Sequence, residues 1–186
     1  VASKQWSMII GDRTNNNHFI GLGVGAGGQV SGQPVLTGLR WRGTDKTATT
    51  QADFAAAAAE STNWHHYAIA VSADGKLAAY LDGVIQATAT GMSTVFTINT
   101  IGEAYNSGGF DMDGLIDEVW IHDETLSATQ VAALYQKNDA HATVSFAGFH
   151  HRYDGSFNDS GSSGIHGTPA GNASITTDGT AIANGS

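Results

Sequence analysis

The sequence of 186 residues contains no cysteine, which excludes disulfide bonds, thiolate catalysis and zinc sites built on thiolates. It has only 2 prolines and only 8 lysines and arginines, and the basic residues are spread along the chain. Because no basic cluster is available to neutralise phosphates, we expect no nucleic acid partner. No apolar run reaches the roughly 18 residues that a membrane-spanning helix needs, so we expect no membrane insertion.

The residues that are present favour many short strands joined by tight turns. Hydrophobic residues make up 41% of the chain, charged residues make up 13%, and there are 24 glycines. This balance is typical of an all-β domain and not of a disordered chain. The net charge of −9 fits a soluble surface outside the cell and suits the binding of hard cations such as Ca²⁺. Val1 begins without a signal-peptide pattern, so we expect the chain to be an excised part of a larger protein.

Apolar and alternating runs predict a series of strands and one helix. Asp74-Gly75 and Asp82-Gly83 are dipeptides suited to tight hairpins, and they join three predicted strands into a meander. Ser127 and Gln130 fit a capping box at the start of a short helix. For the Ala-rich stretch 53–60, a short helical turn and a plain loop both stay open. The predicted strands are Trp6 to Ile10, His18 to Val24, Pro34 to Trp41, Trp64 to Val71, Lys76 to Leu81, Val84 to Thr88, Phe96 to Ile101, Leu115 to His122 and Thr143 to Phe149.

Five segments follow one another along the chain in a characteristic order and spacing. They are Asn63-Trp64-His65-His66-Tyr67-Ala68-Ile69-Ala70, Tyr80-Leu81-Asp82-Gly83, Ile101-Gly102, Gly114 to Val119, and Leu126 to Tyr135. Together they resemble the laminin-G-like family of concanavalin A-type jelly rolls, and the resemblance covers roughly residues 6 to 136. It implies an all-β fold: a two-sheet antiparallel jelly-roll sandwich with one short helix.

The resemblance also divides the chain into two parts. Residues 1–140 form the body of the domain, while residues 141–186 resemble the segment with which such a domain normally opens. That segment is marked by Tyr153-Asp154-Gly155 and Asp159-Ser160-Gly161. It can be the start of a next repeat, the result of circular permutation, or a set of strands swapped between neighbouring chains. Since a jelly roll without its first strands would expose unpaired edges, the last two interpretations gain weight.

Oxygen-rich side chains point to a structural calcium ion. By resemblance, the Asp-Ser-Gly loop and the Asp-Glu pair of the late strand meet and share this ion. The predicted ligands are Asp117, Asp154, Asn158 and Asp159. The competing interpretation is that Asp154 and Asp159 are ordinary turn residues whose side chains bond their own backbone.

Two groups of aromatic and polar residues are candidates for binding a glycan or another cell-surface ligand. The first group is Arg40, Trp41 and Arg42, and the second is Tyr105, Asn106, Phe110 and Asp111. Trp6, Trp64 and Trp120 fall in predicted strands and are expected in the core. The pairs His65-His66 and His150-His151 are expected to be structural or half-exposed, because adjacent strand residues point to opposite faces and cannot readily hold one ion.

Sugar-cleaving enzymes share this fold, so catalysis needs its own test. Residues 118–124 do not reproduce the Glu-x-Asp-x-x-Glu arrangement of the jelly-roll glucanases, and Asp117 and Glu118 would face opposite sides of one strand. The sequence therefore predicts a non-catalytic extracellular carbohydrate-binding or adhesion module with a structural calcium ion. One alternative is a purely structural repeat of a surface fibre that exchanges strands with a neighbouring copy. The other is a glycan-cleaving jelly-roll enzyme.

Overall fold

The computed structural model of the protein describes residues 6–11, 19–23, 38–42, 51–55, 63–91, 99–102, 114–136, 149–151, 168–169, 174–175 and 181–183. Short strands and one helix make up most of these ranges. In chain order they are β1 (Trp6–Gly11), β2 (Phe19–Gly23), β3 (Gly38–Arg42), β4 (Gln51–Ala55), β5 (Tyr67–Val71), β6 (Leu77–Leu81), β7 (Val84–Ala89), β8 (Thr100–Ile101), β9 (Gly114–Ile116), β10 (Val119–Ile121), α1 (Ala128–Tyr135), β11 (Phe149–His151), β12 (Ser174–Ile175) and β13 (Ala181–Ala183).

The strands form antiparallel sheets. The largest has the order β4-β3-β2-β1-β8, and the predicted meander is the sheet β5-β6-β7. Two smaller sheets, β12-β13-β9 and β10-β11, join the C-terminal part of the chain to its middle. This arrangement agrees with the predicted antiparallel all-β class. Within the described ranges, no helix is long and apolar enough to cross a membrane.

The start of the Ala-rich stretch is a strand, so neither a helical turn nor a loop describes it. β4 pairs with β3 over five residues, with Arg40 opposite Asp53 and Leu39 opposite Phe54. This pairing supplies hydrogen-bond partners for the backbone of β4, although the sequence of β4 has no pattern typical of a strand. The strand was not foreseen because small residues have little pattern of their own and the neighbouring strand decides their conformation; residues 56–60 lie outside the described ranges.

The predicted strand from Leu115 to His122 is also wrong as a single element, because the chain breaks between β9 and β10. Glu118 has a left-handed backbone with φ 52°, and its N–H donates to Oδ1 of Asp117 at 3.0 Å. A non-glycine residue in this conformation cannot continue a strand ladder. As a result the two halves have different partners: β9 pairs with β13, and β10 pairs with β11.

The described core centres on β6, the middle strand of its sheet, and on one face of α1. Leu77 of β6 and Val131 of α1 are the most completely buried large side chains. The capping box is present as predicted: Oγ of Ser127 accepts the N–H of Gln130, and Oε1 of Gln130 accepts the N–H of Ser127. The helix therefore begins where the sequence places it and packs its apolar side inward.

Candidate functional site

The turn between β6 and β7 organises the best-defined cluster of polar and aromatic side chains. It consists of Asp82 and Gly83, whose φ angles are 52° and 76°. Two successive left-handed residues are what a two-residue type I′ hairpin requires, and Asp-Gly is a favoured pair for it. The turn predicted from the sequence is thus confirmed, and its geometry aims the Asp82 side chain back at the segment that precedes β5.

Asp82 binds that segment through three hydrogen bonds. Nδ1 of His65 lies 2.8 Å from Oδ2 of Asp82, and the His66 N–H donates to Oδ1 at 3.0 Å. Because a carboxylate accepts, Nδ1 of His65 is the donor. The Asp82 N–H donates to the His66 carbonyl at 2.8 Å, which closes the link. We call these three residues the Asp82 clamp; it holds the entry of β5 to the β6–β7 turn.

The His66 ring lies between the clamp and the helix. Its centroid is 6.0 Å from that of the Tyr135 ring. Burial lowers the pKa of His66, and the negative charge of Asp82 opposes this effect only in part. Within the part of the chain that the structure describes, the buried Nδ1 atom of His66 has no hydrogen-bond partner. The surroundings therefore favour the neutral imidazole.

Protonation of His66 is expected to make the fold acid-sensitive. Since the pKa of His66 is lowered from its usual 6.5 in the folded state, the unfolded chain takes up the proton first as the pH falls. The free energy of unfolding should therefore be fully retained above about pH 6.5 and fall below it, by at most about 1.4 kcal/mol per pH unit. His66→Phe keeps a ring beside Tyr135 but cannot titrate. Denaturant unfolding of both proteins from pH 7.5 to 5 measures the difference, and parallel pH profiles would contradict this role for His66.

Gly83 packs directly on the helix. A Cβ atom at this position would lie 3.1 Å from Cβ and Cδ1 of Tyr135 and 3.2 Å from Cα of Ala132. The turn and the helix therefore approach closely because residue 83 has no side chain. A further contact comes from Thr125, whose hydroxyl donates to the Val71 carbonyl at 2.9 Å and fixes the segment before α1 to the end of β5.

Trp64 is exposed, which corrects its assignment to a core strand. β5 begins at Tyr67, so Trp64 precedes the strand, and 60% of its surface is open to solvent. Tyr135, which packs against Gly83, is 46% exposed. Trp120 does lie in a strand, β10, and is half-buried; Trp6 lies in β1, and its side chain is outside the described residues.

These features occur in a chain whose residues 2–132 match a known family, the concanavalin A-like lectin/glucanases superfamily. The chain belongs to this family. Membership confirms the laminin-G-like resemblance and the predicted all-β jelly-roll sandwich. Comparison with curated proteins and comparison with solved structures found no match. Because the superfamily includes both lectins and glucanases, the residues of the site must distinguish binding from cleavage.

Of the two predicted ligand-binding groups, only the first falls on a described element of this concanavalin A-like domain. Arg40, Trp41 and Arg42 belong to β3, between β2 and β4. Their side chains are outside the described residues. The second group, Tyr105, Asn106, Phe110 and Asp111, lies wholly outside them.

Of the predicted calcium ligands, only Asp117 is described. It is exposed and lies in the break between β9 and β10. Asp154, Asn158 and Asp159 lie outside the described ranges, and within those ranges no three His, Cys, Asp or Glu side chains form a group that could hold a metal ion. The register of β10 and β11 sets Val119 opposite His151. His151 is the last residue of β11, so β11 ends next to the start of β10, close to Asp117. Asp154 follows His151 by three residues along the chain.

Sequence reasoning did not find the Asp82 clamp, although it quoted both segments. Asp82 is 16 and 17 residues away from its two histidine partners. The sequence does contain a signal for it: two histidines come before the first strand of the meander, and an Asp-Gly turn joins its last two strands. The histidine pair was judged as strand residues on opposite faces, whereas both lie ahead of β5 and engage one carboxylate. The expectation that this pair is structural agrees with the observed contacts.

Proposed function

We propose that this concanavalin A-like domain is a non-catalytic module that binds glycans outside the cell or at a cell surface. The observation that carries the proposal is the structural use of the described carboxylates. Asp82 accepts from His65 and His66, and Asp117 accepts from the backbone of Glu118. Asp82 thus joins two segments of the chain and Asp117 fixes the backbone of its neighbour, so the described contacts of both carboxylates are structural.

The ionisation of Asp74 also disfavours acid catalysis. Hydrogen bonds from Lys76 and Ser72 lower the pKa of Asp74 to about 2, and Nζ of Lys76 lies 2.6 Å from Oδ2. A glycosidase acid needs a raised pKa and a second carboxylate at a set separation. Asp74 has the opposite property. Asp74 therefore does not meet the requirement for a glycosidase acid, which supports the lectin proposal at this one position.

We further propose that calcium stabilises the domain. Asp117, with Asp154, Asn158 and Asp159, would supply the carboxylate and amide oxygens that this ion prefers. The exposed position of Asp117 fits such a site, and so does the exit of the chain from β11 beside it. A bound calcium ion would supply a cross-link between the body of the domain and residues 141–186.

Residues 141–186 complete this domain in the interpretation that we favour. β11 pairs with β10, and β13 pairs with β9 of the same chain. These pairings support completion within one chain and speak against the start of an independent repeat. A fibre built by strand exchange would use the same pairings between copies, and it is the second candidate function.

One experiment tests these proposals together. The chain is applied to a panel of neutral gluco-, galacto- and manno-oligosaccharides and of sialylated and uronate oligosaccharides, first with calcium and then with excess chelator. We expect reversible binding without release of reducing ends, and a lower thermal midpoint in chelator, since a ligand held only by the folded state stabilises it. Asp117→Asn should reproduce the chelator effect, whereas Asp123→Asn, at another exposed acid, should not.

Four outcomes would contradict the proposals. Steady release of reducing ends would mean a glycan-cleaving enzyme, and binding to no oligosaccharide would rule out a lectin. A thermal midpoint that is unchanged by the chelator would contradict the proposed calcium ion. Sedimentation of the same samples should show a monomer at every protein concentration; self-association that strengthens with concentration would favour strand exchange between copies.

A further inference from the structure

We propose that Trp64 and Tyr135, which are both linked to the Asp82-Gly83 turn, form a stacking platform for a neutral pyranose ring. The inference rests on the proposed glycan-binding function and adds a location and a sugar class to it. Neither residue belongs to the ligand-binding groups predicted from the sequence. The Trp64–Tyr135 platform is the name used for this surface below.

Contacts through the turn bring the two aromatic residues to one place. Trp64 is bonded to His65, whose Nδ1 lies 2.8 Å from the Asp82 carboxylate. Tyr135 lies against Gly83, 3.1 Å from where a Cβ atom would be, and its ring contacts the His66 ring. Both residues therefore flank the same two-residue turn.

The exposure of these rings requires an explanation. Five large apolar side chains are exposed in the described part of the chain, and the two aromatic ones among them are Trp64 and Tyr135. A tryptophan that keeps 60% of its surface in water forgoes much of the hydrophobic stabilisation available to it. Exposed apolar surface with polar groups at its rim marks binding sites on folded proteins.

The platform is held in position before any ligand arrives. The Asp82 clamp fixes the residues that follow Trp64, and the closely packed turn fixes Tyr135 at the end of α1. A site that is already ordered loses less entropy on binding. Exposed rings on anchored backbone are suited to stacking, whereas rings on a free loop would first have to be ordered.

The mixture of side chains selects the class of ligand. A pyranose has a flat face of C–H groups and an edge of hydroxyls, which match aromatic faces with polar groups beside them. Asp82, with 29% of its side chain exposed, supplies carboxylate oxygens at the rim. The whole chain has a net charge of −9, so a sialic or uronic acid would be repelled. The platform is therefore expected to prefer neutral hexoses.

The test measures affinity for the neutral oligosaccharides of the panel by isothermal titration calorimetry. Trp64→Ala should weaken binding about tenfold or more, while Trp64→Phe, which retains a ring, should lose less. The thermal midpoint of each variant should stay close to that of the wild type, because Trp64 is largely exposed. Leu115→Ala, at an exposed apolar residue of β9, is the matched control, and its affinity should not change. Bound sugar should also shift the tryptophan emission to shorter wavelength in the wild type and not in Trp64→Phe.

The outcomes separate this inference from the function on which it rests. Wild-type binding that survives Trp64→Ala and is lost in Trp41→Ala overturns the platform but leaves the lectin function in place. Tighter binding of the sialylated or uronate sugars overturns the neutral class. If the wild type binds no sugar, the proposed function and the platform both fail.

Discussion

Replacing Gly83 with alanine is expected to lower the free energy of unfolding by about 3 kcal/mol. An alanine at φ 76° adopts a left-handed backbone, which costs about 1–2 kcal/mol. Its Cβ would also lie 3.1–3.2 Å from Tyr135 and from the Ala132 backbone, so the turn and α1 must separate. Overpacking of this kind adds about 1–3 kcal/mol. In a chain of this size the thermal midpoint should fall by about 6–12 °C.

Gly91 provides the control for this prediction. Its φ of 74° is nearly the same, but a Cβ atom there would meet nothing within 4 Å. Gly91→Ala should therefore pay only the backbone cost, about 1–2 kcal/mol. The difference between the two variants, measured by denaturant unfolding, is the cost of separating the turn from the helix. Equal losses would show that the close approach contributes nothing to stability.

The same turn shows which parts of the fold could be predicted from the sequence. Asp82-Gly83 and the capping box of Ser127 and Gln130 depend on interactions within a few residues. Local steric and hydrogen-bonding preferences are therefore enough to locate them. The family resemblance then supplied the global arrangement, and the match over residues 2–132 confirms it.

Features that depend on distant partners were missed. β4 is a strand because β3 lies beside it, and the break at Glu118 occurs where the chain changes from one neighbouring strand to another. The exposure of Trp64 depends likewise on where β5 begins and what packs beside it. Alternation within a segment predicts which residues share a face, but it does not say which partner each residue meets.

In the candidate site, too, contacts between distant residues could not be predicted from the sequence. The Asp82 clamp joins residues 16 and 17 positions apart and became visible only in the folded chain. The calcium ligands and the β3 and loop residues proposed for glycan binding came from the resemblance and from side-chain chemistry. They stay predictions, to be tested by the chelator and by the oligosaccharide panel. Each clamp residue was already quoted as part of a motif, so the missing information was their contact.

Removing the clamp carboxylate with Asp82→Ala should lower the free energy of unfolding by about 3 kcal/mol. The variant loses the hydrogen bond from His65 and the one from the His66 backbone, and bonds to a charged acceptor contribute about 1.5–3 kcal/mol each. We use the low end because Asp82 is partly exposed to solvent. The His66 N–H would also lose its acceptor in a half-buried position. Thermal and denaturant unfolding at neutral pH measure the loss.

Asp82→Asn separates the charge from the geometry. Asparagine tolerates the left-handed backbone at φ 52° and keeps one side-chain oxygen for the His66 N–H, but it lacks the negative charge that faces His65. We expect it to lose about 1 kcal/mol, roughly a third of the alanine effect. If Asn and Ala are equally destabilised, the charge alone holds the entry of β5; if neither is destabilised, the clamp is dispensable. A loss graded from Asn to Ala, larger than the cost that alanine adds in the left-handed backbone at φ 52°, means that the hydrogen bonds and the charge together anchor the segment that carries Trp64.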